Sequence, residues 1–439
     1  MRKTFTFLTE HIKSVILFYI ILQIIIIFTI PISYRSDSLN YYNLAQQCIS
    51  THSIYPAPEH LYEDYIIAPL YVNILIIVLS ISNTVISISI LNVCLNLLQL
   101  WMVYKLAEKL FDKNVAKMAV ILYMFYLNSL GLILSNMTEL IFNCFLLGSI
   151  YFYLKRDKKS FIISGLLAGA SIGIRPIGWV LIVIYIVVVS CQLFRKNKNQ
   201  LLVLAGAALF ILIFGSITYL NFGDFIFTST NGPLNILIGA NKNATGAFNA
   251  LVFEKGNSGY IDSLQLKTFY EKENYWKNQA HYWILNHPFK WISLFPMKII
   301  HIFAWDDIAL SYFIGHGRWN LYRVVKEILT TKSIKNVLLG YTTFEKILFL
   351  SIQFFHHLYY YFIVWMFYKF IIHLNKKQIL REAVFISFGF IIVGLLINLM
   401  TFGDARYKYP YLILIIILIS PKIHEYVTEI RFSKKVIKT

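Results

Sequence analysis

The chain has 439 residues, of which 58% are hydrophobic, 17% aromatic and only 14% charged, and its mean hydropathy is +0.62. A soluble domain of this size has too little interior for so much apolar surface, so the composition excludes a soluble protein and indicates an integral membrane protein. The net charge of +18 lies largely between apolar runs, where membrane topology explains it without a nucleic-acid partner.

The first apolar run, residues 15–32, follows a basic flank that contains Arg2, Lys3 and Lys13. This run is longer than the core of a signal peptide, and no small-x-small cleavage site follows it. We therefore predict a retained signal anchor with its N-terminus in the cytoplasm.

A polar stretch follows the first run and carries Asp37 at the mouth of the predicted span. Residues 37–50 have apolar side chains at helical spacing, which predicts a half-buried helix. Residues 69–81 form a second apolar run, which begins at a proline and is too short for a bilayer core of about 30 Å. We predict a helix on the outer membrane surface there, the alternative being a short tilted span.

Nine further apolar runs complete the pattern, and with the first run they predict about ten transmembrane helices in an all-α integral membrane protein. These runs are residues 84–107, 115–134, 137–154, 161–175, 177–194, 201–220, 344–372, 382–402 and 408–423. The basic connections between them then fall on one side, as the positive-inside rule requires. They are Lys109 with Lys113, residues 155–159, residues 195–198, Lys376 with Lys377, and Lys434 with Lys435.

The opposite, outer side receives two long segments, residues 34–83 and 221–343. A long connection without strong periodicity usually carries function. We predict one membrane domain, whose first outer loop contains juxtamembrane helices and whose second forms a small cap. Residues 291–305 are predicted to be embedded in the membrane, and whether they cross it is open.

Several ionisable residues converge on the outer side in this topology: Asp37, Glu139 and Arg175, together with Asp404, Arg406 and Lys408 between the last two spans. Carboxylates beside fixed cations suit a reaction in which a hydroxyl loses its proton and an anionic group departs. Each residue also has a structural interpretation. Asp37 could cap helix 37–50, Glu139 could face a helix dipole, and the arginines could be interfacial anchors.

The sequence lacks the motifs of metal sites, phosphate-binding loops and catalytic triads. The histidines include possible metal ligands, but no pair has ligand spacing, and the sequence contains no zinc motif, phosphate-binding glycine loop or Ser-His-Asp pattern. The four cysteines have no metal spacing either. The residues alone therefore indicate an outer-face site able to handle a phosphate-bearing lipid.

Three short motifs resemble those of the GT-C glycosyltransferases. They are Asp37-x-x-x-Tyr41-Tyr42-x-x-Ala45, Pro69-Leu70-Tyr71 at the start of a hydrophobic helix, and Arg406-Tyr407-x-x-Pro410 before the final span. His287-Pro288 followed by Lys298 is similar to an Asn-Pro segment followed by lysine. The group most resembled uses polyprenyl-phosphate sugars and includes lipid A aminoarabinose transferases and the protein O-mannosyltransferases of glycosyltransferase family 39.

The resemblance implies an inverting transfer of a sugar from polyprenyl phosphate to an acceptor hydroxyl of a glycan, lipid or protein, on the extracytoplasmic face of a bacterial cytoplasmic membrane. It implies a catalytic base at Asp37 and a second acidic residue at Glu139. Arg406, with Lys298 or Arg175, would bind the donor phosphate. Tyr41, Tyr42, Tyr71 and Tyr407 would contact the acceptor or line the cavity.

One departure from the group concerns a metal. The aminoarabinose transferases have a Lys-Pro-Pro run where this chain has Ile67-Ala68-Pro69. The resemblance therefore leaves a divalent metal cofactor open, and it leaves the sugar undefined.

Three other functional classes are alternatives to a glycosyltransferase of this group. A transporter or flippase of a lipid-linked sugar would carry polar sites near the membrane midplane in repeated halves, and this chain has neither feature. An O-antigen polymerase or ligase would use arginines of a large outer loop, for which Arg318 and Arg323 are candidates. A purely structural membrane scaffold does not explain the converging polar residues.

Overall fold

The computed structural model describes residues 2–193, 198–262, 267–307, 309–314, 321–331, 340, 342–374 and 382–428. Within these ranges the chain is helical and has no strand, apart from an isolated β-bridge between Ala247 and Gly403. The predicted all-α class is therefore confirmed.

The α-helices are numbered here in chain order. They are α1 Arg2–Glu10, α2 Ile12–Thr29, α3 Asp37–Ser50, α4 Pro69–Ile81, α5 Val85–Leu110, α6 Lys113–Met124, α7 Asn128–Leu132, α8 Glu139–Tyr153, α9 Lys158–Ile174, α10 Trp179–Leu193, α11 Leu201–Phe222, α12 Gly232–Ile238, α13 Phe269–Asn286, α14 Pro288–Ser293, α15 Phe295–Phe303, α16 Leu321–Thr331, α17 Thr343–His373, α18 Glu382–Met400 and α19 Tyr409–Thr428. Short 3-10 turns include Pro58–Tyr62, Pro176–Gly178, Ala250–Phe253, Leu310–Ile314 and Ala405–Lys408.

Six of the described helices are long and apolar enough to cross a membrane. They are Ile12–Thr29, Val85–Leu110, Lys198–Phe222, Thr343–His373, Glu382–Met400 and Ala405–Thr428. The predicted total of about ten is not confirmed, because other apolar helices are shorter. Helix α4 has 13 residues, so at 1.5 Å per residue it extends about 20 Å and is too short to cross upright.

The predicted continuous span over residues 115–134 is wrong, because α6 ends at Met124 and α7 begins only at Asn128. The break is stabilised by buried polar side chains that bind backbone groups of other segments. Asn128 accepts a hydrogen bond from the backbone N–H of Ala309 (3.2 Å) and donates to the carbonyl of Asp306 (3.1 Å). Such side chains satisfy the backbone where a helix is interrupted at membrane depth, but hydropathy alone registers only an apolar run.

The last helix, α19, lies at the centre of the bundle. Of its most apolar window, 72% is buried inside the protein, against 22% for α2. The residues that begin the α19 span, 405–408, therefore enter the middle of the bundle, whereas α2 lies at its edge.

Helices α9 and α11 pack closely because glycines lie where their backbones meet. A Cβ atom on Gly165 would lie 2.0 Å from the carbonyl oxygen of Val203, and one on Gly206 would lie 2.4 Å from that of Ile162. Small residues at such crossings let transmembrane helices approach without any side chain between them.

A second hydrophobic cluster lies outside the main core, where residues 224–303, which we call the cap segment, meet the turn between α18 and α19. It is formed by Leu234, Leu237, Ile238, Val252, Trp276, Ala280 and Phe402. Phe402 lies in the turn between α18 and α19, and the adjacent Gly403 N–H donates to the carbonyl of Gly246 (2.7 Å). The cap segment is thus fixed to the turn that leads into the last helix.

We expect Gly165→Val to lower the free energy of unfolding by about 1–3 kcal/mol, because the new side chain overpacks the α9–α11 crossing. The measurement is thermal unfolding of the purified protein in detergent. Ala208→Val on the exposed face of α11 is the matched control and should change little. Equal stability of the two variants would contradict the described crossing.

Candidate functional site

A cavity of about 1220 Å³ opens at the N-terminal end of the last span. Its lining comes from several separate parts of the chain: the start of α3, the start of α8, the turn after α9, residues 404–407 and the cap segment. The lining includes Asp37, Tyr41, Glu139, Arg175, Arg406 and Tyr407. Six of the nine residues singled out from the sequence therefore lie around one space.

Asp37 and Arg406 form an ion pair in this cavity, with 2.6 Å between Arg406 Nη1 and Asp37 Oδ2. Asp37 is the first residue of α3, and Arg406 lies in the 3-10 turn whose start is capped by Asp404. The two side chains are 28% and 27% exposed, so both remain accessible from the cavity. Asp37 is thus held by a cation, which differs from the helix-cap interpretation.

Glu139 and Arg175 form a second pair beside the first, with 3.0 Å between Arg175 Nη1 and Glu139 Oε1. Glu139 is the first residue of α8 and is only 2% exposed. Its second carboxylate oxygen, Oε2, has no hydrogen-bond partner among the described residues. Burial without a partner is costly for such an atom, and the pairing of Oε1 with Arg175 is what holds this carboxylate at the site.

The electrostatics of the cavity keep Asp37 ionised. The positive charge of Arg406 lowers the pKa of Asp37, burial opposes this effect, and Arg175 adds a smaller contribution in the same direction as Arg406. Burial raises the pKa of Tyr41, so its phenol stays protonated. The site therefore offers an accessible carboxylate, two guanidinium groups and a neutral hydroxyl.

Three residues predicted for the site lie outside the cavity lining. Tyr71 is buried and donates to Asn136 Oδ1 (2.8 Å), while its ring packs edge-on against Tyr41 at 5.3 Å. Tyr42 packs against Tyr34, with ring centroids 5.8 Å apart. Tyr71 therefore supports a lining residue from behind.

Lys298, the third predicted site residue outside the cavity lining, is fully buried. Its ammonium donates to the carbonyl of Leu399 (2.9 Å) and lies over the rings of Trp291 and Phe295. Leu399 belongs to the last turn of α18, where a cation satisfies a helix carbonyl and complements the helix dipole. The geometry thus makes Lys298 a helix cap, and its predicted contact with the donor phosphate has no support in it.

A buried ionic cluster beneath Arg406 was missed by the sequence analysis. Asp306 accepts from Lys408 Nζ (3.2 Å between Oδ1 and Nζ), from His356 Nε2 (3.0 Å, at Oδ2) and from the hydroxyl of Tyr126 (3.2 Å). Burial would raise the pKa of Asp306, but Lys408 and His356 lower it to about 2. His356 on a predicted span was the available signal, because a polar residue at membrane depth needs a partner.

The residues of the cavity do not fit a metal site. Among the described residues, no group of three or more His, Cys, Asp or Glu side chains lies close enough to hold an ion. Asp37, Glu139, Arg175 and Arg406 form the charged centre of the site, in which each carboxylate is neutralised by an arginine. We therefore derive no step through a metal.

Some residues named from the sequence cannot be placed. Arg318 and the side chain of Arg323 lie outside the described residues. The same holds for most of the basic stretch 195–198, for Lys376 and Lys377, and for Lys434 and Lys435.

Comparison with known proteins identifies related sequences and folds. Residues 67–219 match the family model of dolichyl-phosphate-mannose-protein mannosyltransferases. No curated protein sequence gives a significant match. The Archaeoglobus fulgidus oligosaccharyltransferase in its apo form is 12% identical, with a TM-score of 0.50, and the alignment covers 93% of this chain and 50% of that one.

A second structure of the same archaeal enzyme, in complex with Zn and sulfate, is 12% identical with a TM-score of 0.49 and covers 93% and 49% of the two chains. The chain thus spans about half the length of the solved structures that it matches. The family match and the shared fold of the apo enzyme confirm the predicted resemblance to GT-C glycosyltransferases.

We expect Lys408→Met to lower the free energy of unfolding by about 3–5 kcal/mol, because it leaves the carboxylate of Asp306 buried without its cation. Thermal unfolding in detergent measures the change. Lys105→Met is the matched control, since the Lys105–Glu108 pair is partly exposed and such pairs contribute about 0–1 kcal/mol. Equal losses in both variants would contradict the role of Lys408.

Proposed function

We propose that this protein is a GT-C glycosyltransferase that moves a sugar from a polyprenyl-phosphate donor to an acceptor hydroxyl at the extracytoplasmic face of a bacterial cytoplasmic membrane. The observation that carries the proposal is the accessible Asp37–Arg406 pair, which borders one cavity with Glu139 and Arg175. The family match supports glycosyl transfer from a lipid phosphate, since its description names a dolichyl-phosphate sugar.

The proposed reaction is a direct displacement at the anomeric carbon. Asp37 accepts the proton of the acceptor hydroxyl while the acceptor oxygen forms a bond to the anomeric carbon. The bond from that carbon to the phosphate oxygen breaks, and its electron pair leaves with polyprenyl phosphate. Attack and departure on opposite faces invert the configuration, and the arginines stabilise the negative charge that develops on the phosphate.

The Asp37–Arg406 pair makes donor binding precede proton removal by Asp37. Arg406 contacts Asp37 through Nη1 and its side chain is partly exposed, so the guanidinium can add a phosphate oxygen and then exchange Asp37 for a second one in a bidentate contact. The exchange removes the nearest cation from Asp37. The pKa of the carboxylate then rises towards its usual value, and Asp37 becomes a stronger base once the donor is bound.

Glu139 and Arg175, the pair beside Asp37 and Arg406, support the same step. Arg175 is a second cation for the phosphate, and Glu139 holds its guanidinium in place through Oε1. The neutral phenol of Tyr41 is an additional donor. We propose no catalytic role for Lys298, Tyr42 or Tyr71.

The apolar chain of the donor lipid would lie along a different part of the cavity wall from the charged residues. The cavity wall that includes Ile174, Ile177, Ile397 and Met400 is apolar and lies at the outer ends of α9, α10 and α18. Since an apolar carrier stays in the bilayer, its chain would follow this wall with the phosphate directed towards Arg406. A transporter would instead hold its polar site near the midplane.

Asp37→Asn is expected to reduce sugar transfer by about 10²–10⁴-fold, because the amide cannot take a proton from the acceptor. Purified protein in nanodiscs would be incubated with labelled polyprenyl-phosphate hexose and a mixture of oligosaccharides that supply acceptor hydroxyls, and release of polyprenyl phosphate measured. Glu59→Gln, an exposed carboxylate-to-amide change on the same outer segment, is the control.

Full activity of the Asp37→Asn protein would refute the assignment of the base. Turnover only with polyprenyl-diphosphate oligosaccharides would instead favour a polymerase or ligase.

The pH dependence of turnover should depend on Arg406. In the wild type, Arg406 lowers the pKa of Asp37 below its usual value, so the carboxylate is ionised, and its contribution to stability is complete, at every pH above about 5. In Arg406→Gln the pKa rises, and residual turnover should fall as the pH is lowered from 7 to 5. Arg406→Lys should keep the wild-type profile over this range; identical profiles for all three proteins would contradict the pairing.

A further inference from the structure

The cavity is larger than one ligand head group requires. Its volume of about 1220 Å³ exceeds the roughly 300–1,000 Å³ of a pocket for a single small molecule. It therefore has room for the sugar phosphate of the donor together with an acceptor group of similar size.

Another part of the cavity wall comes from the loop before α4 and from the cap segment. Aromatic side chains dominate it, and polar groups lie at its edge. Its main members are Asp64, Tyr65, Phe248, Phe253, Tyr260 and Trp276, which we call the cap wall.

The aromatic rings of the cap wall are held in place and yet reach the cavity. Trp276 Nε1 donates to the carbonyl of Gly259 (3.3 Å), which fixes the plane of the indole. Tyr260 and Phe248 remain exposed. Fixed aromatic faces next to hydrogen-bonding groups suit ligands that have an apolar face and a polar rim, and a sugar ring has C–H bonds on its faces and hydroxyls around its edge.

The polar edge of the cap wall is formed by Asp64, whose negative charge is neutralised by Lys272. Lys272 Nζ contacts Asp64 Oδ1 at 2.8 Å and donates to the carbonyls of Tyr62 and Glu63. Asp64 is 71% exposed, so the carboxylate can still accept hydrogen bonds. A paired lysine does not attract an anion, whereas an accessible carboxylate binds neutral hydroxyl groups well.

Tyr65 connects the cap wall to the charged centre. Its side chain packs against both the main core and the second cluster. Tyr65 lines the same cavity as Asp37 and Asp64, and burial, with the negative charges of these two carboxylates, raises the pKa of its phenol. A molecule seated on the cap wall would therefore extend past Tyr65 towards Asp37.

We propose that the cap wall is the acceptor subsite and that the acceptor is a carbohydrate, an inference that rests on the proposed function. An extended peptide would favour an exposed strand edge, and the described cap-segment residues form helices and 3-10 turns around a single isolated bridge. The acceptor sugar stacks on the aromatic rings, binds Asp64 through its hydroxyls and presents one hydroxyl to Asp37.

The test is binding of the labelled full-length protein, in lipid nanodiscs, to a printed array of oligosaccharides and Ser/Thr-containing peptides. We expect binding to a related set of oligosaccharides, weakened about tenfold by Tyr260→Ala and by Asp64→Asn. Tyr282→Ala is the matched control, because Tyr282 is exposed on α13 outside the cavity lining. Thermal unfolding of each variant confirms that it is folded.

The proposal is overturned if no oligosaccharide binds, if binding is unchanged in both cap-wall variants, or if peptides bind instead and are lost with the same substitutions. Binding of labelled polyprenyl-phosphate hexose to the wild-type protein, which needs no acceptor, separates the two proposals. Donor binding without any glycan binding refutes the acceptor subsite alone, whereas absent donor binding refutes the proposed function.

Discussion

The ion pair between Asp37 and Arg406 joins the two ends of the sequence at the mouth of the bundle. Charged groups at the edge of a bilayer are costly unless each has a partner, and these two partners lie on α3 and at the start of the central helix α19. Satisfying the pair therefore fixes the first outer segment against the last span. The cavity exists where these two segments meet, and every proposed catalytic group is arranged around that junction.

The turn between α18 and α19 connects this junction to the rest of the molecule. Within residues 399–408, Leu399 is capped by Lys298, Gly403 bonds to the cap segment, and Lys408 binds Asp306 of the loop after α15. The buried cations thus secure the backbone, while the accessible one, Arg406, is left to exchange partners. A rigid support beneath one exchangeable side chain is what a preorganised site requires.

Sequence reasoning recovered the charged centre because counting helix ends places Asp37, Glu139, Arg175 and Arg406 at one depth. It failed where a contact depends on tertiary packing. Lys298 caps the end of α18, and His356 pairs with Asp306. Each contact joins residues more than 45 positions apart, so no local sequence pattern specifies it. The break after Met124 was hidden because apolar residues flank it, and the polar side chains that stabilise it act across helices.

The separation of Asp37 from Arg406 along the chain also bears on biogenesis. A chain inserted into the membrane from its N-terminus presents Asp37 long before its partner emerges from the ribosome. During that interval the carboxylate must stay hydrated at the surface, so α3 can dock fully only after the last helix is in place. The Asp37–Arg406 pair can therefore form only after residues 405–408 have been inserted, and a nascent chain that stalls before residue 406 would carry Asp37 without its cation.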